Sequence, residues 1–97
     1  MKGFELSKEA KEDLRKIARH TEKQWGREQR YLYIKQFDDV FHVLAEKPAL
    51  GKQCDFIKVG YRKFSQISHL IFYREVTKNK ILIVRILHKK MDIEFKF

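Results

Sequence analysis

The sequence predicts an α+β fold in the order β-α-α-β-β-β, with a helix hairpin packed on one face of a small, mainly antiparallel twisted sheet. Three observations predict it. Two helical apolar patterns stand on either side of Trp25-Gly26. Two apolar runs, residues 69–76 and 81–87, are rich in β-branched and aromatic side chains, which suit a pleated, partly buried surface. A polar connection, Thr77-Lys78-Asn79-Lys80, joins those runs into a hairpin, with Asn79 suited to a left-handed conformation.

The elements follow in order. Phe4 and Leu6 alternate with polar neighbours and mark a short first strand with one apolar face. Ser7 occupies a helix N-cap position, and Glu9, Glu12 and Asp13 fill the opening turns. Ala10, Leu14, Ile17, Ala18, Thr21 and Trp25 keep a 3.6-residue period, so a helix is predicted from Lys8 to Lys23. Trp25 is read as the plug that closes the helix pair onto the sheet rather than as a ligand platform. A second helix, from Arg27 to Glu46, carries the stripe Tyr33, Phe37, Val40, Phe41 and Leu44, and Pro48 and Gly51 end it. The short link at Trp25-Gly26 makes the two helices antiparallel.

Residues 50–58 read as a connection and 61–64 as a strand, with a turn at Ser65-Gln66-Ile67-Ser68 leading into the hairpin. Ile67, a β-branched residue in this turn, is poorly suited to a positive φ. Strict alternation in the last strand puts Leu82, Val84, Ile86 and His88 on one face and Ile81, Ile83, Arg85 and Leu87 on the other. Both faces are apolar, so a second covering is expected from the tail, a subunit or a partner chain. Leu14, Ile17, Phe37, Phe41, Leu44, Phe72, Val84 and Ile86 are expected in one core. A charge between Val84 and Ile86 is costly to bury alone. Either Arg85 meets a carboxylate or carbonyl, or its face opens to a partner.

Composition narrows the function. Ninety-seven residues bound one domain, 1–97, too small to enclose a large cofactor. The single cysteine excludes an internal disulfide and fits a reducing cytoplasm. No signal-peptide or membrane-spanning pattern is present, and a cytoplasmic protein is expected. The net charge of +9 is uneven: residues 1–50 hold 11 basic and 9 acidic side chains, residues 51–97 hold 11 and 4. The sheet half, at a net +7, favours an anionic partner. His20, His42, His69 and His88 show no metal spacing with one another or with Cys54, so no metal and no cofactor are expected. The sequence has no Gly-rich phosphate loop and no nucleophile elbow.

Several blocks are similar to a known family. They are Leu6-Ser7 with Ala10, Asp13-Leu14 and Ile17; Thr21 with Trp25-Gly26 and Gln29; and Phe41 with Leu44-Ala45, Pro48 and Gly51. The more specific blocks are Gly60-Tyr61-Arg62-Lys63-Phe64, His69-Leu70-Ile71-Phe72-Tyr73-Arg74, and Ile83-Val84-Arg85-Ile86-Leu87-His88 with Met91-Asp92. Together they resemble the ParE branch of the RelE/ParE toxins of type II toxin–antitoxin systems. Ser65 and Ile67 depart from that pattern, which often has Pro and Gly near these positions.

The resemblance implies a growth-arresting toxin, of the kind used in plasmid or chromosome maintenance. It also implies neutralisation by a ParD-type antitoxin, with operator DNA contacted only through that antitoxin. DNA gyrase is the implied target, bound and trapped in its cleaved-DNA complex without catalysis. The alternative is the RelE activity, ribosome-dependent mRNA cleavage, which needs an acid, a base and cations around the phosphate. The chain has no tyrosine after Tyr73 and ends in Phe97, which leaves His88 as the tail's acid/base candidate. Target contacts are expected at Arg85, His88, Lys89, Lys90, Met91 and Ile93. Antitoxin contacts are expected at Arg62, Arg74, Ile81, Ile83 and Arg85. The tail alternates apolar and basic residues, which suits an added strand or a segment lying in a groove.

Overall fold

The computed structural model describes residues 2–91, 96 and 97. Strand β1 (Gly3–Leu6) leads into helix α1 (Lys8–Trp25) and helix α2 (Arg27–Glu46). A 3-10 turn (Pro48–Leu50) and the short β2 (Lys52–Gln53) precede β3 (Arg62–Gln66), β4 (His69–Thr77) and β5 (Lys80–His88). The five strands form one sheet in the order β1-β5-β4-β3-β2. Only β1 is parallel to its neighbour, pairing from Gly3↔Lys80 to Leu6↔Ile83. The predicted α+β arrangement is the observed one. The sequence reading missed β2 and ended α1 two residues early.

The helices begin and end where side-chain chemistry allows. Ser7 caps α1: its Oγ accepts from the Ala10 N–H at 3.0 Å. Gly26 joins the helices at φ +93°, a conformation that L side chains rarely adopt. After the 3-10 turn, the Tyr73 hydroxyl donates to Pro48 O (2.6 Å) and accepts from the Gly51 N–H (2.8 Å). Gly51 leaves room for that ring: a Cβ there would lie 2.7 Å from Tyr73 Cε1 and Cζ.

The apolar side chains form two layers rather than the single core expected. Beneath the helices, Ile17, Phe37, Phe41, Leu44, Ile71, Ile81, Ile83 and Ile86 pack together with Leu14 at the margin. Phe72 and Val84 lie instead in a smaller cluster with Cys54, Tyr61, Leu70 and Leu87. Phe72 alternates with Ile71 and Tyr73 on β4, and for Val84, parted from Ile86, the cause is a β-bulge. Phe72 pairs with Arg85 and Tyr73 with Ile83, so Val84 has no partner on β4 and the alternation shifts by one residue. Ile81, Ile83 and Ile86 therefore all join the helix-side layer, and Val84 and Leu87 join the other. The second covering comes from this chain itself. Ile57 packs on the smaller cluster, and the Phe97 ring sits 5.0 Å from Phe72 and 5.9 Å from Tyr61.

Two turns differ from expectation. Ile67 takes φ +53°, the conformation its branched side chain disfavours, because β3 and β4 pair up to Gln66↔His69 and leave a two-residue link. Asn79 has no positive φ; its N–H donates to Thr77 Oγ1 (3.3 Å), and a second register shift at Val76 absorbs the turn. Ile67 is 62% exposed, so little packing offsets its strain. The variant Ile67→Gly should raise stability by about 0.5–1 kcal/mol, read as a higher urea midpoint at unchanged slope. A lowered midpoint would contradict the strain argument.

Candidate functional site

Where β1 stops at Leu6, the edge of β5 continues, and the start of α1 takes over its hydrogen bonds. The Ser7 N–H donates to Ile83 O (2.9 Å), and the Ser7 hydroxyl donates to Val84 O (2.7 Å). Asp13 Oδ2 accepts from the Ile86 N–H (3.0 Å). The same carboxylate takes a two-pronged contact from Arg85, Nε to Oδ2 at 2.8 Å and Nη2 to Oδ1 at 2.9 Å. Both side chains are largely buried. Of the two alternatives open for Arg85, the carboxylate partner is the one present. Its remaining nitrogen, Nη1, donates to Lys96 O (3.1 Å) and ties down the end of the chain. Asp13 was legible in principle, because it falls on the buried stripe three residues after Ala10 and four before Ile17.

The described members of the expected target set divide between partly buried and exposed positions. Arg85 is engaged by Asp13. His88 is half-buried, and its Nδ1 accepts from the Lys90 N–H (3.1 Å). Lys89, Lys90 and Met91 are exposed on the turn that follows β5. Ile93 lies outside the described residues, as does Asp92. The expected antitoxin residues separate too. Arg62 donates to Gly51 O at 2.8 Å, while Arg74 is exposed beside a small pocket with Asp55 and Glu75. Ile81 and Ile83 are 1% and 0% exposed beneath the helices and offer no surface. Alternation along β5 ahead of the bulge turns both toward the helices.

Two larger concavities remain. The first is a groove of about 960 Å³ between α1 and α2, with Leu14, Ala18, Tyr31 and Ile34 as its apolar part. Its rim holds Lys11, Arg15, Arg27, Arg30 and Lys35 against Glu22 and Asp38. The second is a cleft of about 800 Å³ where the end of α1 and the start of α2 face the ends of β4 and β5. His20, His69, His88 and Tyr33 line it. Trp25 lines it as well and is 74% exposed, so it does not plug the core. As the last residue of α1, just before the Gly26 turn, it stands beyond the reach of the sheet.

His69 sits deepest in this chemistry. It pairs with His88 across the strands, ring centroids 5.2 Å apart, and its Nδ1 lies 3.1 Å from the Tyr33 hydroxyl. Burial, then His88 and, more weakly, His20, lower its pKa to about 4, against an opposing pull from Asp13. A histidine held neutral in the fold contributes stability above its unfolded pKa and loses it as pH falls through the folded value. This group should therefore make stability rise with pH between about 4 and 6.5. NMR titration should find the His69 ring neutral down to about pH 4. An unshifted midpoint near 6.5 would contradict this.

Among the described residues, no group of three His, Cys, Asp or Glu side chains could hold a metal ion, and no helix is long and apolar enough to cross a membrane. A family model described as "ParE toxin of type II toxin-antitoxin system, parDE" matches residues 4–93. Toxin ParE1 of Mycobacterium tuberculosis is 37% identical over 89 residues, 92% of this chain and 91% of that protein. Toxin ParE1 of Caulobacter vibrioides is 35% identical over 92 residues, 95% and 94% of the two chains. Among solved structures, a chain of the chromosomal ParDE TA system from P. aeruginosa superposes with a TM-score of 0.74 at 20% identity, covering 91% of this chain and 96% of that one. The fold is shared with that structure, and the sequence match spans nearly the whole chain: this protein belongs to the ParE family of toxins of type II toxin–antitoxin systems.

Proposed function

We propose that this toxin acts by binding DNA gyrase and trapping its cleaved-DNA complex, with no chemistry of its own, and that a ParD-type antitoxin neutralises it. One observation carries the choice of binder over nuclease. Two of the three sheet arginines that a metal-free RNase could set around a phosphate are engaged by the fold, Arg85 by Asp13 and Arg62 by Gly51 O, which leaves Arg74 alone exposed. His88, the tail's acid/base candidate, has its Nδ1 occupied by the Lys90 amide. The step from binder to gyrase rests on membership of the ParE family.

The antitoxin reading changes with the geometry. With Ile81 and Ile83 buried, the hairpin face cannot serve as the contact first expected. The groove between the helices suits an amphipathic antitoxin helix better. Its apolar part would take the helix's apolar stripe, and its five basic rim residues against two acidic ones favour acidic flanks. Arg74 remains an exposed second contact.

Purified toxin tested in parallel against gyrase supercoiling, cleavage-complex accumulation and ribosome-dependent mRNA cleavage separates the two activities. The expected outcome is gyrase inhibition with accumulated cleavage complexes and intact mRNA. Cleaved mRNA with unaffected gyrase would overturn the proposal and make His88 the first residue to mutate.

A further inference from the structure

The cleft between the helix ends and the strand ends shares His88 and Met91 with the expected target contacts, but its Lys16, Trp25 and His69 have no part in the antitoxin or gyrase reading. We propose that it binds one unit of a single nucleic-acid strand, with a base stacked on Trp25 and the adjoining phosphate held by Lys16 and the imidazoles of His69 and His88.

The tautomers support an acceptor ligand. The Lys90 N–H donates to His88 Nδ1, so a neutral His88 carries its proton on Nε2. The Tyr33 hydroxyl, 3.1 Å from His69 Nδ1, does the same for His69 when it donates. Both rings are thereby left with an Nε2–H donor rather than a free lone pair. That pattern is wrong for a metal ligand and right for a phosphate oxygen. His20 and Lys16 line the same cleft, and among the described residues no carboxylate does. The groove between the helices, by contrast, mixes both signs of charge on its rim.

Trp25 supplies the second half of the recognition. An indole exposed to 74% at the wall of a cleft that holds Lys16 and three histidines is largely free of packing against the described residues. Aromatic faces beside basic groups are how sequence-tolerant single-strand binders hold bases. Thr21 does not compete for the ligand, because its hydroxyl donates to Ile17 O within α1.

Trp25 is also the sole tryptophan of the sequence, so its fluorescence reports this cleft alone. Titration with a short oligothymidylate should quench it saturably. Anisotropy of the same strand, fluorescein-labelled, should show Trp25→Ala and Lys16→Ala each weakening binding about tenfold. Lys78→Ala, which removes the same charge on the far β4–β5 turn, should stay within about twofold. All three side chains are exposed, so the variants should fold. Absence of saturable quenching would overturn the proposal, as would equal losses for Lys16→Ala and Lys78→Ala. It would also be overturned if a polyglutamate peptide quenched Trp25 and displaced the strand at lower concentrations than the strand itself needs. That last result would assign the cleft to an acidic protein segment.

Discussion

The Asp13 carboxylate is the point at which the two halves of the chain are fastened together. It accepts from the Arg85 guanidinium through both oxygens and from the Ile86 amide, while Ser7, six residues earlier, takes the carbonyls of Ile83 and Val84. The edge of β5 would otherwise be left bare where β1 ends at Leu6. An open edge of backbone donors and acceptors invites pairing with other chains. Here the first turns of a helix close it. A buried ion pair adds little net stability over apolar packing, but removing one partner leaves the other charged and desolvated. The pair therefore fixes which geometry forms more than how stable it is: the place of α1 on the sheet, the bulge at Val84, and the anchor for Lys96.

That constraint sorts the basic residues into two groups. Arg62 and Arg85 hold loops and elements in place. Lys16, Arg74, Lys89 and Lys90 face solvent and remain open to partners. The surfaces divide in the same way. The groove between the helices is apolar with a charged rim, which suits a folded segment; the histidine cleft combines Lys16, imidazole donors and an exposed indole, which suits a strand. The two lie on different sides of α1, one lined by Leu14 and Ala18, the other by Ile17 and Thr21. A toxin built this way can present one surface to its antitoxin without the same residues having to serve the target.

The helices and strands were legible because their signals are local. Ser7 before an amphipathic run, Gly26 between two such runs, and Pro48 after the second are each sufficient cues. The layer assignment failed because a bulge is not local. Nothing in Ile83-Val84-Arg85-Ile86 announces that Val84 lacks a partner; the bulge depends on how Phe72 and Tyr73 pair and on Asp13 claiming Ile86. Trp25 was misread for a related reason: a helical period extrapolated one turn too far runs past the end of the sheet. Ile67 shows the reverse case, in which tertiary pairing imposed a conformation that local preference opposes. The site residues were the least legible. Their roles depend on partners far away in sequence, such as Asp13 for Arg85 and Tyr33 for His69.

A double-mutant cycle on Asp13→Ala and Arg85→Ala, followed by urea unfolding, tests the fastening of helix to sheet most directly. Each single variant should lose about 3 kcal/mol, because each strands a desolvated partner. The double variant should lose little more than either alone, giving a coupling of about 2–3 kcal/mol. Losses that add to within about 0.5 kcal/mol would mean that the two side chains act independently, and the account of how α1 is held on the sheet would fail.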